Sequence, residues 1–263
     1  MNLKEQLCNY LIENNLVKEF DVIKHSYSNS RLYEWNKRNV EFNDMPPTLD
    51  TRCDCLGVVI KENNMNNLRI RKLTSTECFR LMGVKDEDSE KLNHLSNSVK
   101  YHLAGDSIVV NVLEAIFKSI LIDNPIVDKK PIRLIEFFAG YGSQALALKY
   151  LGIPFEHYII CEWAIKSIDA YKHIHFPNIN EDHTDLMDKD DLVDFLYEKG
   201  ISSNWNEPMT REQIARKNET ELREIYNNIK ITNNLVNIQQ VTGGGLGITN
   251  TDEYLYVLTY SFP

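Results

Sequence analysis

The chain has 263 residues, a formal net charge of −9, 43% hydrophobic and 25% charged residues. That balance describes a globular protein with one large domain or one domain with appendages, and it disfavours a broad DNA-gripping basic face. No stretch reaches the roughly 18 uninterrupted apolar residues of a membrane span, and no secretory apolar core follows Met1. Five cysteines (Cys8, Cys53, Cys55, Cys78 and Cys161) are odd in number and lack zinc-site spacing. A cytoplasmic protein without membrane contact is expected.

Residues 3–20 read as an amphipathic packing helix, with Leu7, Leu11, Leu16 and Val17 on its apolar face. Residues 43–52 form a proline-fixed extended segment. There Thr48, Thr51 and Arg52 either touch a phosphate backbone or lie on a plain surface loop. Thr74 and Glu77 make a capping box for a helix whose Phe79, Leu81 and Met82 face a core. A second helix is expected over residues 105–117, capped by Asp106 or Ser107. Residues 124–131, with Pro125 and Pro131, read as a linker.

The linker leads into a buried strand, Ile132 to Phe138, followed by the small-residue turn Ala139-Gly-Tyr-Gly142. Ala145, Leu146, Leu148 and Leu151 then recur at helical spacing, and Gly152 closes that helix. Strand, glycine turn and helix in this order build either a ligand cradle or plain βαβ architecture. A second strand, Tyr158 to Cys161, ends in Glu162 and Trp163. An acid about 20 residues past the turn is placed to accept hydrogen bonds from a ribose diol. Such charge-assisted bonds contribute about 1.5–3 kcal/mol each. Trp163 can lie against a purine ring. Taken together, Glu162 and Trp163 favour a nucleoside cofactor over a solvated acid and a core tryptophan.

A helix to about His175 follows, stopped by Phe176-Pro177. Residues 181–188 read as a short third strand, where Asp185 either meets an adenine amino group or caps a helix. A third helix spans Asp190 to Lys199, and a mostly polar one runs from Arg211 to about Ile229. Residues 200–251 read as an insertion ending in a glycine-rich flexible connection, and residues 252–263 carry a fourth core strand.

Several of these pieces resemble one family, the DNA cytosine-5 methyltransferases. Glu136-Phe-Phe-Ala-Gly-Tyr-Gly142 is similar to their S-adenosylmethionine turn, Glu162-Trp163 to their ribose and adenine site, and Asp185-Leu186 to their adenine-edge segment. Arg71 to Gly83, with Pro46 to Leu49 before it, resembles a late structural helix segment. Gly105-Asp-Ser-Ile-Val-Val110 resembles the last motif, which closes over the methionine end of the cofactor. The late motifs come first, so the order looks circularly permuted.

The resemblance implies an α/β Rossmann-like fold, incomplete, with a permuted N-terminal helical segment. It divides the chain into a target-recognition tail and loop (1–52), late-motif helices (53–123), linker (124–131), cofactor-binding core (132–199), insertion (200–251) and last strand (252–263). It implies S-adenosylmethionine as cofactor, held by Phe138, Ala139, Gly140, Tyr141, Gly142, Glu162, Trp163, Asp185, Leu186, Asp106, Ser107 and Pro263. The family flips cytosine from the duplex, attacks its ring with a cysteine thiolate and methylates the activated carbon.

Three departures stand out. Asp106 replaces the family's usual asparagine and Ser143 a second glycine. Tyr260-Ser-Phe-Pro263 resembles the lead-in to the catalytic Pro-Cys segment, without the cysteine itself. No nucleophile is assigned, and it is expected from a continuation or from a partner chain. Double-stranded DNA is the implied substrate. An unpaired sheet edge would invite that partner or a homodimer. The alternative is a catalytically inactive S-adenosylmethionine- or nucleotide-binding regulatory protein.

Overall fold

The strand Ile132–Phe137 forms because Ile132, Leu134 and Ile135 can be buried on both faces of a parallel sheet, the setting for near-continuous apolar runs. The computed structural model describes residues 32–34, 56–61, 68–124 and 129–260, with side chains from Lys72 onward. These residues fall into two compact units.

The first unit runs to Phe79 and includes Ser96–Gly105. Strands β1 (Leu32–Glu34), β2 (Leu56–Lys61) and β3 (Leu68–Lys72) form an antiparallel sheet in that order. Helix α1 (Ser75–Leu81) starts at the expected capping box, with Thr74 N donating to Glu77 Oε2 at 2.9 Å and Glu77 N to Thr74 Oγ1 at 3.2 Å. Phe79 is buried, whereas Leu81 faces outward, contrary to its expected core role. The phenol of Tyr101, on a helix spanning Asn97–Gly105, donates to the Leu73 carbonyl at 2.6 Å.

The second unit comprises Arg80–Leu95 and the chain from Asp106 onward. It holds short helical turns at Asp86–Ser89 and Glu90–Leu92 and a helix at Val110–Phe117. That helix begins later than expected. Neither Asp106 nor Ser107 caps it, because Val109 is the extended residue at its start. Strands β4 (Ile132–Phe137), β5 (Phe155–Cys161) and β6 (Leu255–Tyr260) form a parallel sheet with β4 in the centre. Helix Ser143–Tyr150 follows β4. Its Ala145 to Leu148 are wholly buried, each leucine contributing about 1.5–3 kcal/mol on transfer from water. Helix Ile165–His175 follows β5.

The expected third strand at 181–188 does not form. Those residues make a turn in which Asp182 Oδ1 accepts from the Thr184 amide and hydroxyl, so side chain–backbone bonds replace a ladder. The β5 edge is instead met by Asn234, in a parallel bridge with Ile160. The sheet of this unit therefore holds three strands among the described residues, and Leu255–Tyr260 is the third rather than the fourth.

The long helix expected from Arg211 is likewise two helices, Arg211–Ala215 and Glu219–Ile231. Asn218 breaks it by capping the second, its side chain accepting from Glu221 N at 2.8 Å. Residues of 200–251 share one core with Ile165, Ile168, Leu192 and Leu196, contributing Ile201, Ile214, Leu222, Ile225 and Val236. The glycine-rich stretch folds into a 3-10 turn, Gly244–Leu246, and Tyr158 donates to the Gly247 carbonyl at 2.8 Å.

Candidate functional site

The C-terminal ends of parallel strands are where open α/β sheets present ligand crevices. Here that end carries Phe138 to Gly142 after β4 and Glu162-Trp163 after β5. Phe138 adopts φ 56°, a left-handed conformation that costs a non-glycine residue about 1–3 kcal/mol. The Cys161 carbonyl holds it there, accepting from Phe138 N at 2.9 Å and from Ala139 N at 3.4 Å. Gly142 needs to be glycine. Its φ is 85°, and a Cβ there would run into the rings of His175 and Tyr171. Gly140, at φ 55°, has open space where a Cβ would stand, so a ligand can approach its backbone.

Glu162 ties the turn to the second strand. Its Oε2 accepts from Gly140 N at 2.9 Å and its Oε1 from Ala164 N at 2.8 Å. The residue is 8% exposed. Burial raises its pKa, the amides of Ala164, Gly140 and Trp163 oppose that, and the charge of Asp106 adds to the rise. Each carboxylate oxygen retains a second lone pair for an incoming hydroxyl. Asn234 fixes the backbone of Glu162 from both sides, with Glu162 N donating to Oδ1 at 3.0 Å and Asn234 Nδ2 to the Glu162 carbonyl at 2.9 Å.

Ser107 also meets the turn, its hydroxyl 2.8 Å from the Tyr141 phenol. Failing to cap a helix thus frees Ser107 for Tyr141. Trp163 is partly buried and packs against the core of the following helices.

The structure therefore brings together Phe138, Ala139, Gly140, Tyr141, Gly142, Glu162, Trp163, Asp106 and Ser107. Asp185 and Leu186 are exposed, Leu186 at 98%, on the turn that replaces the expected strand, and no hydrogen bond of the turn's backbone reaches them. Pro263, Thr48, Thr51 and Arg52 lie outside the described residues. A cavity of about 670 Å³, lined by Ile122, Pro131, Phe155 and Leu255, sits at the opposite, N-terminal end of the strands.

Glu136 is the functional-looking residue that sequence reading left without a partner. It is fully buried, accepts from Ala145 N at 3.2 Å and from the Tyr171 phenol at 2.5 Å, and burial pushes its carboxyl up to about 7. An acid inside an apolar strand was the available signal. Asn234 left none, because it acts on a residue 72 positions away.

Two cysteines are described, Cys78 and Cys161, and both are buried. Burial, with the adjoining Glu162 charge, pushes the Cys161 thiol up to about 12, and it donates to the Val236 carbonyl at 3.4 Å. Neither is poised as a thiolate.

A family model described as C-5 cytosine-specific DNA methylase matches residues 4–121. That span contains Arg71 to Gly83 and Gly105 to Val110, and it stops before β4. The orphan methyltransferase M.SssI of Spiroplasma monobiae is 33% identical over 139 residues, 51% of this chain and 34% of the relative. M.Rho11sI of Bacillus phage rho11s is 43% identical over 88 residues, 33% of this chain and 17% of the relative. M.SPRI of Bacillus phage SPR is 41% identical over 88 residues, 33% of this chain and 20% of the relative. The chain thus spans about a third or less of the curated relatives it matches. No helix among the described residues is long and apolar enough to cross a membrane. Over residues 4–121 the chain is similar to the C-5 cytosine-specific DNA methylases, and its parallel α/β sheet is consistent with their fold.

Proposed function

We propose that the chain is the S-adenosylmethionine-binding part of a DNA (cytosine-5-)methyltransferase. The observation that carries this reading is the Glu162 carboxylate, buried beside the open turn at Gly140 and holding acceptor capacity for a ribose diol. The residues present fit the nucleoside end of the cofactor: Glu162 for the ribose hydroxyls, Trp163 and Phe138 beside them, and Ser107 on Tyr141 at the rim. Bound there, the cofactor would supply an electrophilic methyl group. Asp106 would set a negative charge close to that cationic ligand. Asp185 and Leu186 would join only after a local rearrangement of their exposed turn.

The thiolate that attacks cytosine must come from outside the described residues, since Cys78 and Cys161 are buried. A complementary segment or chain would supply it together with the surface that reads double-stranded DNA in the cytoplasm. The β6 edge, where Leu258 and Tyr260 are exposed, would receive that partner or a second copy.

Calorimetric titration of the folded chain with S-adenosylmethionine tests the reading. Saturable binding is expected, weakened about tenfold by Glu162→Gln, the loss of one charge-assisted bond. A flat titration would remove the proposal for this chain. Methyl transfer to cytosine is expected once a chain carrying the Pro-Cys segment is added. The burial of both thiols among the described residues also favours a second reading, a cofactor-binding regulatory protein. Binding without methyl transfer, whatever partner is added, would select it.

A further inference from the structure

Away from the glycine turn, three side chains converge. Asp169 and His173 stand on one face of the helix Ile165–His175 at i, i+4 spacing, and His94 reaches them from the segment after Glu90–Leu92. His94 Nε2 lies 2.8 Å from Asp169 Oδ2, and His173 Nδ1 lies 3.0 Å from Asp169 Oδ1. The two imidazole centroids are 4.2 Å apart. One ligand atom from each residue falls within 4.8 Å of the others. Zinc ligands held at about 2.0–2.2 Å around a tetrahedron lie about 3.4 Å apart, so a side-chain shift of about an ångström closes the cluster on an ion.

The hydrogen bonds fix which nitrogens are available. His94 Nδ1 lies 3.2 Å from the Lys91 carbonyl and His173 Nδ1 lies 2.9 Å from the Asp169 carbonyl. Carbonyls only accept, so both nitrogens carry the hydrogen and each ring offers Nε2 as its ligand atom. A neutral His94 then turns its Nε2 lone pair toward a carboxylate oxygen, acceptor against acceptor. Such a contact requires a positive species, either a second proton or a metal ion. A carbonyl-anchored imidazole beside a carboxylate is the arrangement that orients a metal ligand. Burial favours a neutral Asp169, but the bonds to His173 and His94 outweigh it and keep the carboxyl ionised. Neighbouring cations are directed elsewhere: Lys91 Nζ donates to Asp88 and the Ile174 carbonyl, and Lys172 Nζ to Asn180.

The geometry points to a zinc-class divalent metal site made by His94, Asp169 and His173. Two imidazoles and one carboxylate match that ion and leave a position for water. Its effect would be to pin the segment carrying His94 to the helix that follows Glu162-Trp163.

Chelator-treated full chain, titrated with zinc chloride at neutral pH, tests this. One ion per chain is expected, with a melting temperature raised by about 5 °C at saturating metal. Cobalt substitution is expected to give a tetrahedral visible spectrum without thiolate charge-transfer bands. His94→Ala and His173→Ala should each weaken binding by at least about tenfold, the scale seen even for outer partners. His183→Ala should leave it unchanged. Absence of saturable binding by folded wild-type chain, thiolate bands with cobalt, or binding indifferent to both histidine variants would each overturn the site and leave an imidazolium–carboxylate pair.

Discussion

Two glutamates stand at the ends of neighbouring strands and do different work. Glu136, on β4, is sealed: one oxygen meets Ala145 N and the other the Tyr171 phenol, so its acceptors face protein. Glu162, just past β5, receives the amides of Gly140 and Ala164 beside the open face of the turn. Burial raises both pKa values. The difference is access. A buried acid with every neighbour inside the fold is a strut, and one that shares its donors with an open turn can also take a ligand.

The largest expected effect concerns the strut. Its folded pKa of about 7 exceeds the ordinary 4.5. A raised carboxyl binds its proton more tightly when folded, so its contribution is intact below pH 4.5 and is lost as pH climbs to 7. That loss is about 3 kcal/mol by linkage. Urea midpoints across this range should show the decline in wild type and not in Glu136→Gln. His157 works in the opposite sense, since burial pushes its imidazole down to about 4 and its contribution is lost as pH falls from 6.5. The difference between wild type and Glu136→Gln therefore isolates the glutamate.

Tyr171→Phe is next, removing the donor from a buried acceptor for about 1–3 kcal/mol of stability while leaving the proposed cofactor affinity within about twofold. A binding loss as large as that of Glu162→Gln would erase the distinction between the two acids. Glu162→Gln itself should cost about 1–2 kcal/mol in a urea melt, because the amide oxygen keeps one backbone N–H while the amide NH2 leaves the other without an acceptor. The smallest effect sets the baseline for a carboxylate in water. Arg211→Ala, which breaks an exposed 2.7 Å pair with Asp194, should change stability by no more than about 0.5 kcal/mol.

Strand, turn and helix from Ile132 to Tyr150 were legible in the sequence because their apolar spacing switches from continuous to helical at the glycines. The capping box at Thr74 was legible for the same local reason. Local pattern failed where a side chain competed with the backbone. Asp182 turned an expected strand into a loop, and Asn218 split an expected helix. β2 and β3 went unread although Val58, Val59, Ile60 and Ile70 gave a strand signal. The partners of Glu136 and Glu162 were invisible for another reason: Tyr171 and Asn234 lie 35 and 72 residues further on.

Sequence distance also governs how the sheet comes into being. β4 finds β5 through a short crossover, pairing Ile132 with Phe155, but on its other side Ile132 pairs with Leu255. Closing that second loop costs more chain entropy, because it spans about 120 residues rather than about 20. The order of assembly is therefore built into the register. The βαβ unit with its glycine turn can form as soon as its own residues are made, and β6 adds the second flank of the central strand last.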